Sequence, residues 1–331
     1  MVNDLCFWFV AYSSTSQPVG GLKQLHRACE FIKSLGYKSY LIQNDESFRP
    51  DWFKSSVNTI SKTRWLQISS KLDKLSNILV IPETYLPLAV KHHYLPKIIF
   101  NQNASYTFSS PKSSRFYKIP VAIDIYKDAA QVWCVSAYDF DLLFQYMGIE
   151  KSRIFRVFNS LDSNVVEFPA CKRKKIAYMP RKNSKHALTV VGILSSLVAF
   201  EGWEFVPIHK VDQSRVFDIL SEAAIFLSFG HPEGFGLPVA EAMSLGCLII
   251  GYTGLGGKEL FEIGEKHGTA WAIEFGDILS FINAAQKALC LFDSSTILSS
   301  RLEIVADIVR SKYNDDAMRL SLANAIKNLR I

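Results

Sequence analysis

At 331 residues the chain is long for a single hydrophobic core and suits two α/β domains. Its 49% hydrophobic content excludes a mainly disordered protein. The formal net charge is +6 and is concentrated in one segment, which excludes a general nucleic-acid coat and favours a single anionic neighbour.

The opening stretch, Met1 to Val10, carries an acid where a signal peptide would carry positive charge, and its apolar run is too short to export or to span. It reads as a first buried strand. Further strands are expected at about Ser39 to Gln43, Ile78 to Ile81, Lys97 to Asn101 and Gln131 to Val135, with helical spacing at Leu22 to Leu35 and Tyr138 to Met147. A second series begins near Ile176 and continues at Glu204 to Ile208, Ile225 to Phe229 and Cys247 to Gly251, with helices at Gln213 to Ala223 and Asp277 to Leu291. Alternation of this kind makes parallel sheets, so the expectation is two doubly wound domains facing a central cleft, with ligands beyond the carboxyl ends of the strands. The domains are placed at 1–168 and 169–312, and an amphipathic last helix in 313–331 is a candidate to brace the first domain or simply to face solvent. The longest charge-free run, Ala187 to Phe200, is too short for a membrane helix. The six cysteines are scattered without a C-x-x-C pair, which predicts a reduced, cytoplasmic protein with no zinc site.

Gln17-Pro-Val-Gly-Gly-Leu-Lys23 follows the first strand and opens a helix, so Gly20 and Gly21 are candidates for a phosphate cradle. A lone Gly-Gly is common at such turns. Pro82-Glu83 ends a strand, and Asn101-Gln-Asn103 follows another; Glu83, Gln102 and Asn103 are candidates for orienting ligand hydroxyls, those of an acceptor under the family resemblance given below. The His92-His93 pair falls in an expected helix and suits a surface or core role better than a metal site.

From Phe168 to Phe200 there is no acid, while Lys172, Arg173, Lys174, Lys175, Arg181, Lys182 and Lys185 supply seven positive charges; +6 less these seven leaves −1. Lys172 to Lys175 fit a solvated linker between domains, with a membrane-surface patch over 172–185 as the other possibility. Arg181 and Lys182 follow a strand and lie where a diphosphate would sit at a sheet edge, the arginine able to fork two phosphate oxygens.

The most informative string is Glu233-Gly-Phe-Gly-Leu-Pro-Val-Ala-Glu241, between a short apolar strand and a helix that ends at Gly246. Gly234 and Gly236 allow bare backbone to approach a ligand, Pro238 suits the first helical position, and the N–H groups of Phe235 to Leu237 face outward for anions. Glu241 is expected in the first turn of the helix. Two carboxylates beside a phosphate site would repel it, so their expected partners are hydroxyls of a sugar or ribose. Either glutamate alone also suits an ordinary helix start.

The nine-residue string, extended as Ser228 to Gly246, resembles the E-x7-E signature of family-4-like retaining glycosyltransferases of the GT-B fold. Thr253-Gly-Leu-Gly-Gly-Lys-Glu259 is similar to the family's Gly-Gly-x-x-Glu turn; Gly276-Asp277, Val135-Ser136 and Asn159-Ser-Leu-Asp162 resemble further elements of it. The resemblance implies two Rossmann-like domains and transfer of a hexose-type sugar from a nucleoside diphosphate sugar to an acceptor hydroxyl with retention of configuration. It also implies a place in glycan, surface polysaccharide or glycolipid assembly. In the roles it implies, Glu241 holds the ribose and Glu233 the transferred sugar. Arg181, a lysine (Lys182 or Lys185) and the N–H groups of Gly20 to Leu22 and Phe235 to Leu237 would stabilise the diphosphate, with no metal and no cofactor beyond the donor. The family's Arg-x4-Lys is not kept, since His186 stands at its lysine spacing, and amides replace a histidine common near Gln102. The implied acceptor is a glycan or a lipid-linked glycan. A sugar-nucleotide epimerase and a catalytically weak donor-binding subunit are the alternatives.

Overall fold

The computed structural model describes residues 4–12, 19–109, 119–162, 168, 171–294 and 297–330. It divides into two compact units, Met1–Ser160 with Asp315–Ile331, and Leu161–Asn314. The boundary expected at 168/169 falls in a stretch of which only Phe168 is described.

The first unit is built on a parallel sheet of β1 (Cys6–Val10), β2 (Lys38–Gln43), β3 (Thr59–Ser61), β4 (Asn77–Pro82), β5 (Lys97–Asn101), β6 (Gln131–Cys134) and β7 (Ile154–Arg156). Their order across the sheet is β3-β2-β1-β4-β5-β6-β7. Strands buried on both faces carry unbroken apolar runs, as the Cys6-Phe-Trp-Phe-Val10 and Ile78-Leu-Val-Ile81 segments do. Trp8 stacks on Tyr40 with ring centroids 4.7 Å apart, and its buried indole N–H donates to Asn77 Oδ1 at 2.9 Å, which satisfies a polar atom in the core. Helix Asp315–Lys327 belongs to this unit and packs on helix Gly20–Ser34. Arg27 Nη1 meets Asp315 Oδ1 at 2.9 Å, the Arg319 guanidinium lies 5.0 Å from the Phe31 ring centroid, and Gln131 Nε2 donates to Ala325 O at 2.7 Å.

The second unit holds β8 (Arg173–Tyr178), β9 (Glu204–Pro207), β10 (Ala223–Ser228), β11 (Leu248–Tyr252) and β12 (Ala270–Ile273), in the order β12-β11-β10-β8-β9 and parallel throughout. The edge strands β3, β7 and β12 have three or four residues each and escape the sequence reading. In each sheet the chain reverses its direction of travel, between β1 and β4 in the first and between β8 and β10 in the second. Such switch points leave diverging loops at the carboxyl edge, the usual ligand position in open α/β sheets.

Strand β8 begins three residues before Ile176, and its charged first half corrects the expectation for the basic block. Arg173 lies 3.3 Å from Glu222, Lys174 lies 3.2 Å from Asp293, and Lys175 lies 2.7 Å from Glu222 and 3.1 Å from Glu204. Lys172 tucks its ammonium onto Leu220 O at 2.8 Å, beside Cys247, and burial lowers its pKa. The segment is a paired strand rather than a solvated linker, because acids far along the sequence meet it in the fold. Four of the six cysteines are buried, none is in a disulfide, and no helix among the described residues is long and apolar enough to cross a membrane.

Candidate functional site

The second unit brings the 179–186 and 229–241 loops together at its switch point, because β8 and β10 are hydrogen-bonded neighbours in register Leu227↔Tyr178. After β10 the chain passes through the cis His231–Pro232 peptide to Glu233, whose N–H donates to Gly254 O at 2.7 Å and whose carbonyl accepts from Gly256 N–H at 3.0 Å. Two turns thus lie backbone against backbone. The approach is so close that a Cβ on residue 256 would sit 1.9 Å from Gly234 O.

Gly236 takes φ +90°, a left-handed conformation that glycine alone adopts without strain, and it starts helix Leu237–Ser244. The helix therefore begins one residue earlier than expected. Pro238 occupies its second position, and Glu241, its fifth residue, lies in the second turn and not the first. Phe235 is buried with its ring 4.7 Å from that of Tyr313, which anchors the turn. Among the described residues, the N–H groups of Gly234, Phe235, Gly236 and Leu237 donate to no protein acceptor. A helix start with unused donors is suited to an anion.

Glu233 Oε1 lies 2.9 Å from Lys182 Nζ, with the two side chains 25% and 24% exposed. Lys182 Nζ also donates to Pro232 O at 2.8 Å. Lys182 is thus a partner of Glu233, whereas the side chain of Lys185 is exposed. Arg181 is exposed, with no hydrogen bond or ion pair among the described residues. Glu241 Oε1 accepts from Gln213 Nε2 at 3.1 Å, a residue at the start of helix Gln213–Glu222 that sequence reasoning missed. His186, at the spacing of the family lysine, turns Nδ1 to the Tyr252 hydroxyl at 3.0 Å and leans on Phe275; His231 stacks on the same ring at 4.3 Å. Burial and the neighbouring Lys182 lower the pKa of His231. Asp277 caps the helix that follows β12, accepting from Ser280 N–H at 2.9 Å.

In the first unit, Gly20 and Gly21 form the start of helix Gly20–Ser34, as expected; Gln17 and Pro18 lie outside the described residues. The Leu22 N–H is taken by the Val19 carbonyl at 3.0 Å, which removes it from the set of anion donors. A Cβ on residue 21 would come within 2.6 Å of Gln102 Oε1, so the bare Cα of Gly21 makes room for this amide. The Gln102 N–H donates to Glu83 Oε2 at 2.9 Å, which groups Gly21, Gln102 and Glu83 at the carboxyl edge of β1, β4 and β5. Asn103 is buried, and its Oδ1 accepts from Ser105 N–H at 3.1 Å, a helix-start role. Asn101, Thr107 and Tyr126 form a buried hydrogen-bonded set behind them.

Glu83 is 5% exposed; desolvation first, and the charge of Asp139 as a lesser cause, raise its pKa from the ordinary 4.5 to about 8, against the opposing hydrogen bond from Gln102. The neutral acid is what the fold favours. The unfolded chain loses the proton near pH 4.5 and the native chain near 8, so the native state binds more protons in that window and its stability falls as pH rises through it. Glu83→Gln keeps an acceptor for Gln102 and removes this dependence. Its melting temperature should match the parent at pH 5 and exceed it above pH 8, by up to about 4 kcal/mol in stability. Equal pH dependence in the two proteins would show that Glu83 ionises freely.

His92 is likewise structural, with Nδ1 2.8 Å from the Tyr94 hydroxyl and its ring beside Trp65. Among the described residues no group of three His, Cys, Asp or Glu side chains is placed to hold a metal ion.

No protein-family model matches the chain. It is similar to an alpha-1,6-glucosyltransferase of Actinobacillus pleuropneumoniae, 46% identical over 50 residues, a match that spans only 15% of the chain and 15% of that relative. Similarity to solved structures extends over nearly the whole chain. Sucrose-phosphate synthase from Thermosynechococcus elongatus aligns with a TM-score of 0.69 at 12% identity, over 98% of this chain and 99% of that one. Anabaena HepE in complex with UDP-glucose aligns with a TM-score of 0.69 at 13% identity, over 98% and 100%. WaaG, a glycosyltransferase involved in lipopolysaccharide biosynthesis, aligns with a TM-score of 0.61 at 11% identity, over 98% and 99%. The chain has the GT-B fold.

Proposed function

We propose that this chain is a glycosyltransferase that moves a hexose-type sugar from a nucleoside diphosphate sugar to an acceptor hydroxyl, with retention of configuration. The observation that carries the proposal is the turn between β10 and helix Leu237–Ser244. Unused N–H groups for an anion lie between two carboxylates suited to hydroxyls, and the exposed Arg181 precedes Lys182 and Asn183, which contact the same loop. Similarity of fold to HepE, solved with UDP-glucose, and a short match to a glucosyltransferase support the donor class. Resemblance of the Glu233 to Glu241 string to the family's E-x7-E signature supports retention.

In this reading the bond from the anomeric carbon to the diphosphate oxygen breaks, and the acceptor oxygen bonds to that carbon on the same face. The departing phosphate takes the acceptor proton. Negative charge developing on the diphosphate is stabilised by Arg181 and by the N–H groups of Gly234 to Leu237, with Lys185 as a nearby point charge. Glu241, oriented by Gln213, accepts from the ribose hydroxyls. Glu233, held by Lys182, accepts from hydroxyls of the donor sugar and stabilises positive charge at its anomeric carbon. The half-buried Lys182 partner also lowers the repulsion between Glu233 and the diphosphate. In the first unit Gly20 and Gly21 offer N–H groups to an anion, and Gln102, whose backbone N–H is taken by Glu83, offers its side-chain amide to acceptor hydroxyls, while Asn103 shapes the turn. Charge is managed by these groups alone, so the reaction as proposed uses no metal. The acceptor is a glycan or a lipid-linked glycan, used on the cytoplasmic side in surface polysaccharide or glycolipid assembly.

The test is a titration of Glu241→Gln and Arg181→Ala with a panel of nucleoside diphosphate sugars that includes UDP-glucose. Each variant should weaken binding of the preferred donor by about tenfold or more, the loss of one hydrogen bond to a charged group. Donor binding unchanged in both would sink the assignment. Analysis of products separates transfer from epimerisation, which would release an isomerised sugar without any acceptor.

A further inference from the structure

Asn183 stands between Lys182 and helix Ser184–Ser196, at the position where an asparagine ordinarily caps a helix with its own side chain. It does not do so here. Its backbone is left-handed, φ +52° and ψ +45°, and its side chain makes no capping hydrogen bond. The amide instead crosses to the neighbouring loop, where Nδ2 donates to Phe229 O at 2.8 Å and to His231 O at 2.9 Å. One residue earlier, Lys182 Nζ donates to Pro232 O at 2.8 Å and pairs with Glu233 Oε1 at 2.9 Å. Two consecutive side chains of the β8 loop thus hold Phe229, His231, Pro232 and Glu233 of the β10 loop.

Both departures at Asn183 have a physical meaning. A missing cap destabilises a helix, and a left-handed residue other than glycine is uncommon, although asparagine tolerates it better than most. Local geometry that gives up a cap and adopts a sparsely populated conformation is over-determined by something else. Here that is the pair of carbonyls across the switch point. Both N–H bonds of one amide converge on the segment that ends at Glu233, and a Cβ on Gly230 would come within 2.8 Å of Glu233 Cγ, so the carboxylate lies directly over the stapled backbone.

We infer that Asn183 is a positioning residue, whose amide fixes the 229–233 turn so that Glu233 is presented to the sugar of the donor. The inference rests on the donor reading above and deepens it. Asn183 touches no reacting atom. It acts through the backbone, and Lys182 acts through the carboxylate itself.

The test uses two variants of the full chain. Asn183→Gly keeps access to the left-handed backbone and removes the amide; Asn183→Asp keeps the shape and replaces the two donors by acceptors. In both, hydrogen exchange should accelerate about tenfold or more at the Glu233 and Gly256 amides, which bond across the two turns. Binding of UDP-glucose should weaken about tenfold while binding of UDP stays within about twofold, since only the sugar meets Glu233. Exchange and UDP-glucose affinity equal to the parent in both variants would overturn the inference. Equal loss of UDP and UDP-glucose would also overturn it, since that outcome marks a general effect on folding. A parent protein that binds neither UDP nor UDP-glucose would count against the donor reading instead, and the exchange rates would still decide whether Asn183 holds the turn.

Discussion

Glu233→Ala is expected to lower the rate of sugar transfer by about 10²- to 10³-fold, the size of effect seen when one preorganised charge-stabilising group is removed. Affinity for the free nucleoside diphosphate should change little. The asymmetry follows from the role proposed for the carboxylate, which meets the transferred sugar and the charge that develops at its anomeric carbon. An interaction made with the bound donor sugar and strengthened in the transition state lowers kcat in addition to donor-sugar affinity when it is removed. Stability offers an internal control. Lys182 loses one partner but keeps the Pro232 carbonyl, and its side chain is 24% exposed, so no uncompensated charge is left buried. The melting temperature should therefore stay close to that of the parent. A variant that melts normally yet transfers sugar at the parent rate would remove Glu233 from the reacting centre.

Gly256→Ala should produce the largest loss of stability. The added methyl would sit 1.9 Å from Gly234 O, 2.2 Å from Gly234 C and 2.9 Å from Glu233 O, all backbone atoms. No side chain can rotate away to relieve the overlap, so one of the two turns must move. Overpacking of this kind costs about 3 kcal/mol or more. Movement would break the bonds from Glu233 N–H to Gly254 O and from Gly256 N–H to Glu233 O, so loss of donor affinity should accompany the drop in melting temperature. The contrast is Gly21, where an added methyl would meet only the far end of the Gln102 side chain. A Gly256→Ala protein that melts with the parent would contradict the close pairing of the 233–235 and 253–257 turns.

The difference between the two glycines illustrates what a sequence can and cannot convey. Both stand in Gly-Gly pairs at turns, and nothing local tells them apart. One lies against backbone that follows a different strand, and the other against the far end of a side chain. The same limit explains Glu241. The string of residues located its helix to within one residue, but the left-handed Gly236 lets that helix start at Leu237, which moves Glu241 into the second turn. Gln213, the partner of Glu241, lies on another helix, and no spacing rule links them.

The basic block shows the limit most clearly. Lys172 to Lys175 stand in a stretch without acids, so along the chain they look unpaired. The acids Glu204, Glu222 and Asp293 reach Arg173, Lys174 and Lys175 through strand pairing and helix packing, and Lys172 reaches the Leu220 carbonyl. Arg181 differs from them in that it follows the strand's end, is exposed, and has no ion pair among the described residues. Asn183 had no signal of its own, since an asparagine before a helix ordinarily predicts a cap.

By itself, the sequence determined what depends on periodicity and on short runs: the buried parallel strands, the helices between them, and the turn that carries Glu233. These are local matters of side-chain spacing and of glycine and proline geometry. Only the tertiary structure decided which charges are neutralised, which N–H groups remain unused, and which side chains hold the turn at Glu233. Those depend on contacts between segments that are distant in the chain, made where β8 and β10 lie side by side at the point where the sheet order reverses.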